Sequence, residues 1–378
     1  MKILYDYQIF QMQNYGGISN SFVNLIKNLP GDVEYQIGVK DSENIHLESS
    51  RLAKVSPIRT KNNFLCKKCF CGKGRLYDFI YSFYPSIDSY YKNKHYSQRL
   101  LEEGEYDVFH PTYFDDYFLP FLGNKPFVLT VHDMIPELTN HQDLQQEKWK
   151  RRLVPLASHI VAVSHQTKHD LMEMMNVPDS KISVIYHGAP DKVLAESLLP
   201  ESLRYILFVG TRLIYKGFLL MADALLPILK DSDIYLVCTG PEFSDKEIQY
   251  FQSQGIQEKV IHVKPSDSEM IGLYAHALCF IFPSEYEGFG IPILEAYSAD
   301  CPVVLNHASC FPEIAGDAAV YFHTAGDGST DLYDVMMRFL QMSAQEREEL
   351  LARQRRRLQN YSWQKSAQQL SEVYKSLL

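Results

Sequence analysis

The sequence predicts an α/β chain of two doubly wound domains, and three observations carry that prediction. Short β-branched or apolar runs alternate with segments of helical character along nearly the whole chain, the pattern of a parallel sheet covered on both faces. At 378 residues there is room for two domains of ordinary size. Nearly every unusual polar residue follows a run read as a strand, and ligands of doubly wound sheets bind outside the carboxyl ends of the strands.

In chain order, strands are expected at Lys2–Tyr5, Glu34–Val39, Val108–His110, Phe127–Val131, His159–Val163 and Ile182–Ile185. Helices are expected among them at about Ile18–Leu29, Tyr91–Glu103 and Gln166–Met175. The turn His187-Gly188-Ala189-Pro190 then reads as a boundary, giving domains 1–189 and 190–361. The second half repeats the grammar more sharply, with strands at Tyr205–Val209, Ile234–Cys238, Val260–Val263, Leu278–Phe282, Pro302–Leu305 and Ala319–Phe322. Phe218–Leu229 and Ile291–Ser298 read as helices of that half.

Bulk properties narrow the function. A net charge of -9 argues against generic nucleic-acid binding, which calls for a basic excess or stripe. The amino end, MKILYDYQIF, reads as a first strand rather than a leader, and no run reaches the 18 apolar residues of a membrane span. A cytoplasmic, non-spanning protein is expected. Seven cysteines in such a chain do not suggest a disulfide framework, and Cys238, Cys279, Cys301 and Cys310 lie in or beside apolar runs as small buried residues. Cys66-x-x-Cys69-x-Cys71 could hold a metal as thiolates, but no fourth ligand stands at a recognised spacing, so free thiols are expected. The segment from Phe64 to Tyr96 carries ten aromatic residues and six lysines or arginines against two acids. It reads as the core of a subdomain on the acceptor side, the alternative being a surface that rests on an anionic membrane.

The chemistry gathers in a few loops. In SEYEGFGIPILEA, residues 284–296, Glu287 and Glu295 stand eight positions apart, with Gly288 and Gly290 breaking any helix between them. Pro292 fits a first helical turn, so the amides of Phe289, Gly290 and Ile291 would point outward at a helix N-terminus and attract an anion. Glu295 could accept two hydrogen bonds from a ribose diol, or merely complement the helix dipole. Glu287 could hold sugar hydroxyls, or be an exposed loop acid. Arg212 and Lys216, four positions apart after a strand, could bracket a diphosphate, or be solvated loop cations. Gly16-Gly17 opens a turn through which a backbone could approach a phosphate or sugar, although it is neither Gly-x-Gly-x-x-Gly nor a P-loop. His132, with Asp133, closes the apolar strand FVLTV and could donate to a reacting sugar, or be a packed histidine.

Together these motifs resemble the retaining, sugar-nucleotide-dependent glycosyltransferases of family 4, with the two-domain GT-B fold. Glu287-Gly-Phe-Gly-Ile-Pro-Ile-Leu-Glu295 matches that family's Glu-x7-Glu signature, and Gly210-Thr-Arg212 with Lys216-Gly217 matches its phosphate-binding cations. Gly16-Gly17, Thr130-Val-His132-Asp133, Val163-Ser164 and Tyr361-Ser-Trp363 stand where the family has counterparts. The resemblance implies Glu295 at the ribose, Glu287 at the donor sugar, Arg212 and Lys216 at the diphosphate, and His132 near the reacting carbon. It also implies a last helix, about 362–378, that crosses back onto the first domain. One departure is visible: Tyr186-His187-Gly188 stands where many members have an asparagine before the glycine.

The expected reaction moves a sugar, mannose or a related hexose, from a UDP- or GDP-sugar to a saccharide or lipid-linked saccharide during surface polysaccharide or lipopolysaccharide synthesis. No metal or other cofactor is expected, since two cations and oriented amides can stabilise the leaving diphosphate and no DxD-like cluster lies in the donor half. Peripheral contact with the inner face of the membrane accompanies a lipid-linked acceptor. A sugar-nucleotide epimerase on the same fold, or a non-catalytic two-lobed sugar-binding protein, are the rival readings.

Overall fold

The computed structural model describes residues 1–61, 64–65, 70, 72–84, 87–139, 143–190 and 196–378. The first half contributes strands β1 (Lys2–Tyr5), β2 (Glu34–Ile37), β3 (Val108–His110), β4 (Val128–Val131), β5 (His159–Ala162) and β6 (Ile182–Val184). They run parallel in the order β2-β1-β3 and β4-β5-β6, and a bridge between Phe109 and Phe127 joins the two triplets. The second half contributes β7 (Tyr205–Phe208), β8 (Tyr235–Cys238), β9 (Val260–His262), β10 (Cys279–Phe282), β11 (Val303–Asn306) and β12 (Val320–Phe322), parallel in the order β12-β11-β10-β7-β8-β9. The runs YILF, CFIF and VVLN of β7, β10 and β11 are buried throughout because helices cover both faces of the sheet.

Strand order decides where the site can be. In the second sheet the chain leaves β7 toward β8 on one side and later returns to β10 on the other. The crevice therefore opens between the loops that follow β7 and β10, residues 210–217 and 283–290. In the first sheet β1 is flanked by β2 and β3, so the Gly16-Gly17 turn, His110 and the His132-Asp133 loop share the facing edge.

The helix Trp363–Lys375 leaves the second half and packs on Gly17–Lys27 of the first. Its Trp363, Leu370, Val373 and Tyr374 belong to the first half's core, and the Tyr374 hydroxyl lies 2.8 Å from that of Tyr5 and 2.6 Å from His110 Nδ1. Where the chain passes between halves, Ala189 N donates to Tyr361 O at 3.3 Å.

The aromatic segment corrects an expectation. Within Lys73–Phe83 only Tyr77 is fully buried, donating to Asp88 Oδ2 at 2.7 Å and stacking on Tyr81 one turn later. Phe79, Phe83 and Tyr84 are 64–67% exposed. Among the described residues the helix meets the body through the face that carries Tyr77, so most of its aromatic surface is outside the core. Cys66, Cys69 and Cys71 lie outside the described residues, whereas Cys238, Cys279, Cys301 and Cys310 are free, buried thiols. Among the described residues no helix is long and apolar enough to cross a membrane.

Candidate active site at the domain seam

Lys216 ends the short turn Ile214–Lys216, and its ammonium sits 2.5 Å from Glu287 Oε1, which also accepts from Ser284 Oγ at 2.7 Å. Burial pulls the lysine's pKa down, but the Glu287 carboxylate and the Tyr215 hydroxyl outweigh that and leave it raised, so the site holds a fixed cation. The Glu287 backbone is pinned in turn: its N–H donates to Ser309 Oγ at 3.3 Å, and its carbonyl accepts from the same hydroxyl at 2.8 Å. Glu287 is 9% exposed, so the exposed-loop-acid alternative fails.

Two glycines shape the next turn for different reasons. Gly290, at φ +88°, caps Ile291–Ser298 in the left-handed region, where a Cβ would be strained. Gly288 lies against the other domain: a Cβ there would stand 1.7 Å from the carbonyl oxygen of His132. Part of the signature loop is thus the seam between the halves, with Phe289 edge-on to His187 at 4.8 Å. One turn into the helix, Glu295 accepts from Tyr274 Oη at 3.1 Å; burial raises its pKa, against that hydrogen bond and with a smaller push from Asp267.

The facing edge carries two imidazoles, with the carboxyl of Asp133 lining the same space. His132 stacks on His187 with ring centroids 5.9 Å apart, and His187 Nδ1 is 2.9 Å from Ser21 Oγ. Burial pulls the two rings down to about 4 and about 3, so both are uncharged at neutral pH. His132 Nε2 is a buried polar atom with no hydrogen-bond partner among the described residues. Such an atom is costly to leave unpaired, and it faces the compartment that Lys216 and Glu287 also line.

These groups enclose two adjoining spaces. One, of about 380 Å³, is lined by Gly17, His132, His187, Lys216, Glu287 and Gly290, with Gly288 and Phe289 beside them. The other, of about 400 Å³, holds Glu295, Asp267 and Tyr274 of the second half opposite Tyr15 and His46 of the first. Ile291 lines both. The two glutamates therefore face neighbouring compartments of one cleft.

Comparison with known proteins agrees with this architecture. Residues 191–361 match the family described as glycosyl transferases group 1, and residues 15–192 match Glycosyltransferase Family 4. The chain belongs to the family 4, group 1 glycosyltransferases. It is 27% identical over 217 residues to the O-antigen chain mannosyltransferase RfbU of Salmonella typhimurium, covering 53% of this chain and 61% of that one. It is 28% identical over 249 residues to O-antigen chain mannosyltransferase B of Escherichia coli, covering 61% and 64%. The chain thus spans a little over six-tenths of the length of these relatives. Among solved structures, Anabaena HepE, in complex with UDP and glucose, superposes over the whole of both chains with a TM-score of 0.74 at 18% identity. The fold is GT-B.

In this family 4 chain one expected cation is elsewhere. Arg212 does not reach into either compartment: its side chain is 5% exposed, Nε donates to Glu247 Oε1 at 2.5 Å, and Nη2 donates to the carbonyls of Pro241 and Glu242 at 2.7 and 2.8 Å. The cause is Glu247, whose other oxygen closes the capping box of Asp245–Gln254 with Ser244 and leaves Oε1 for the guanidinium. Gly16 also lies outside both spaces, its carbonyl accepting from Ser19 Oγ at 3.0 Å. Sequence reasoning missed Lys150, which is wholly buried, paired with Glu137 at 2.7 Å, and donating to Asp133 O at 3.1 Å. It anchors the loop that carries His132. Nothing in Lys148-Trp149-Lys150-Arg151-Arg152 distinguishes it from a solvated basic face. Among the described residues no group of three or more histidines, cysteines or acids is placed to hold a metal.

Proposed function

We propose that this chain is a glycosyltransferase that moves a hexose from a nucleoside-diphosphate sugar to a saccharide hydroxyl. The observation that carries the reading is the Lys216–Glu287 pair facing the unpartnered His132 Nε2 across one compartment, with Glu295 in the next. The ribose lies at Glu295, the diphosphate beside Lys216 and the amides that follow Gly288, and the sugar between Glu287 and His132. As the bond from the anomeric carbon to the phosphate oxygen breaks, its electrons stay on the diphosphate, where the Lys216 ammonium stabilises growing charge. The acceptor oxygen bonds to that carbon, and its proton passes to the departing diphosphate. Departure and attack on one face retain the anomeric configuration. No step is assigned to a metal. The names of the relatives favour mannose, carried by a GDP- or UDP-sugar, and an acceptor belonging to surface polysaccharide or lipopolysaccharide.

A lipid-linked acceptor also implies contact with a membrane. Residues 49–77 hold eight lysines or arginines and no acid, in a chain of net charge -9, and Leu76, Phe79 and Phe83 are exposed on the helix beside them. Aromatic anchors with cations suit an anionic inner leaflet. The deciding experiment screens UDP-, GDP- and ADP-sugars by thermal shift and turnover, without added divalent ion. Stabilisation by one nucleoside diphosphate, with turnover of its sugar, is expected; no stabilisation by any of them would refute the reading. Release of an isomerised sugar nucleotide without acceptor would favour an epimerase.

A further inference from the structure

A third cavity, of about 560 Å³, lies across the seam beside the Lys216–Glu287 pair. Its walls come from both halves: Gln166 and Asp170 from the first, Ile214, Tyr215, Glu285 and Tyr286 from the second. Tyr215 and Tyr286 immediately precede Lys216 and Glu287 in the chain, and Ser309, which pins the Glu287 backbone, also lines the cavity. Through Tyr215, Tyr286 and Ser309 the cavity borders the backbone of Lys216 and Glu287, which line the donor compartment, whereas the ribose compartment shares Ile291 with that compartment and no residue with this cavity.

Its chemistry is selective. Asp170 is 6% exposed and accepts from Tyr286 Oη at 2.5 Å and from Gln166 Nε2 at 2.8 Å, so a buried polar cluster is built on the wall. Glu285 adds a second carboxylate, and no lysine or arginine is among the described residues that line the space. Two carboxylates without a cation repel a phosphate and suit hydroxyls. Tyrosine rings offer apolar faces for the C–H face of a sugar ring. At the mouth, Ile214 is 86% exposed and Leu138 45% exposed, an apolar rim.

We propose that this cavity is the acceptor subsite and that it takes a neutral saccharide, so the enzyme extends a glycan already begun rather than placing the first sugar on a lipid phosphate. The inference rests on the transferase reading above and narrows its acceptor. A preceding transfer must supply the substrate, since a phosphate-bearing carrier lacks a partner in this cavity until at least one sugar separates it from the reacting hydroxyl.

The test uses the full chain with the donor identified by turnover. Octyl glycosides of mannose, glucose, galactose and N-acetylglucosamine are compared with farnesyl phosphate as acceptors, for the wild type and for Ile214→Asp and Gln166→Ala. Transfer to at least one glycoside and none to farnesyl phosphate is expected. Each substitution should raise the acceptor KM about tenfold or more, as expected for a lost polar or apolar contact, while the thermal shift by the nucleoside diphosphate is retained. Transfer to farnesyl phosphate, transfer to none of the glycosides, or wild-type acceptor KM in both variants would overturn the proposal. Failure of the transferase reading itself looks different: no nucleoside diphosphate stabilises the wild type and no donor turns over.

Discussion

The two sides of the cleft are built from different materials. The second half presents charge, a buried ammonium held against a carboxylate at 2.5 Å, on loops that follow adjacent strands. The first half presents neutral imidazoles, stacked and depressed to about 4 and about 3 by burial, with the Asp133 carboxyl beside them and, among the described residues, no lysine or arginine of that half in the same lining. On the proposed reading, a leaving diphosphate needs a permanent cation, whereas a donor to sugar hydroxyls works best uncharged beside a site where positive character develops. The difference teaches that, on that reading, the halves divide the chemistry as well as the binding.

The sharpest way to break that comparison is to remove the cation. Lys216→Ala is expected to lower kcat by about 100- to 1000-fold, the scale seen when one preorganised charge-stabilising group is lost, with the fold retained. Steady-state turnover with circular dichroism checks both, and near-normal turnover would remove Lys216 from the site. Next comes the seam. Gly288→Ala forces a Cβ onto the His132 carbonyl, so the halves must part, and a misplacement near 1 Å is expected to cost transfer on the order of 100-fold. Unchanged transfer in this variant would mean that the halves react without this contact.

Arg212→Ala sharpens the contrast between the two cations of the loop. A guanidinium occupied by Glu247 and two carbonyls should affect stability more than chemistry: a loss of about 3 kcal/mol in urea unfolding, with transfer reduced less than about tenfold. A large kinetic loss at unchanged stability would return Arg212 to the diphosphate.

The smallest effect concerns pH. Below the ordinary histidine value of 6.5 the unfolded chain takes up protons that buried His132 and His187 refuse, so their stabilisation is present above pH 6.5 and falls as the pH drops toward 4. Asp6, Glu137 and Glu295, raised by burial, act with the opposite sign, so the test is the difference between wild type and His187→Gln. That difference should change by up to about 1.4 kcal/mol per pH unit between pH 6.5 and 4; urea curves at pH 7, 6 and 5 measure it.

What was legible in the sequence follows from how local the cause is. β7, β10 and β11 announce themselves because strands buried on both faces are continuous apolar runs. The signature loop could be placed because glycine and proline act on their own backbone. Arg212 could not, since its partner Glu247 lies 35 positions away on another helix. Lys150 could not for the same reason: only the fold brings Glu137 and the Asp133 carbonyl around it. The exposed aromatics of Lys73–Phe83 misled because composition records what a helix carries, not how many of its faces are covered.

The passage between halves carries one more consequence. The chain crosses twice, near Ala189 and near Tyr361, and the two crossings are hydrogen-bonded to each other. A single tether would allow one lobe to swivel; two strands tied side by side act as the spine of a book. Two crossings bound together resist twist and slide between the lobes more than one would, and so help to hold His132 and Glu287 in register across the compartment they share.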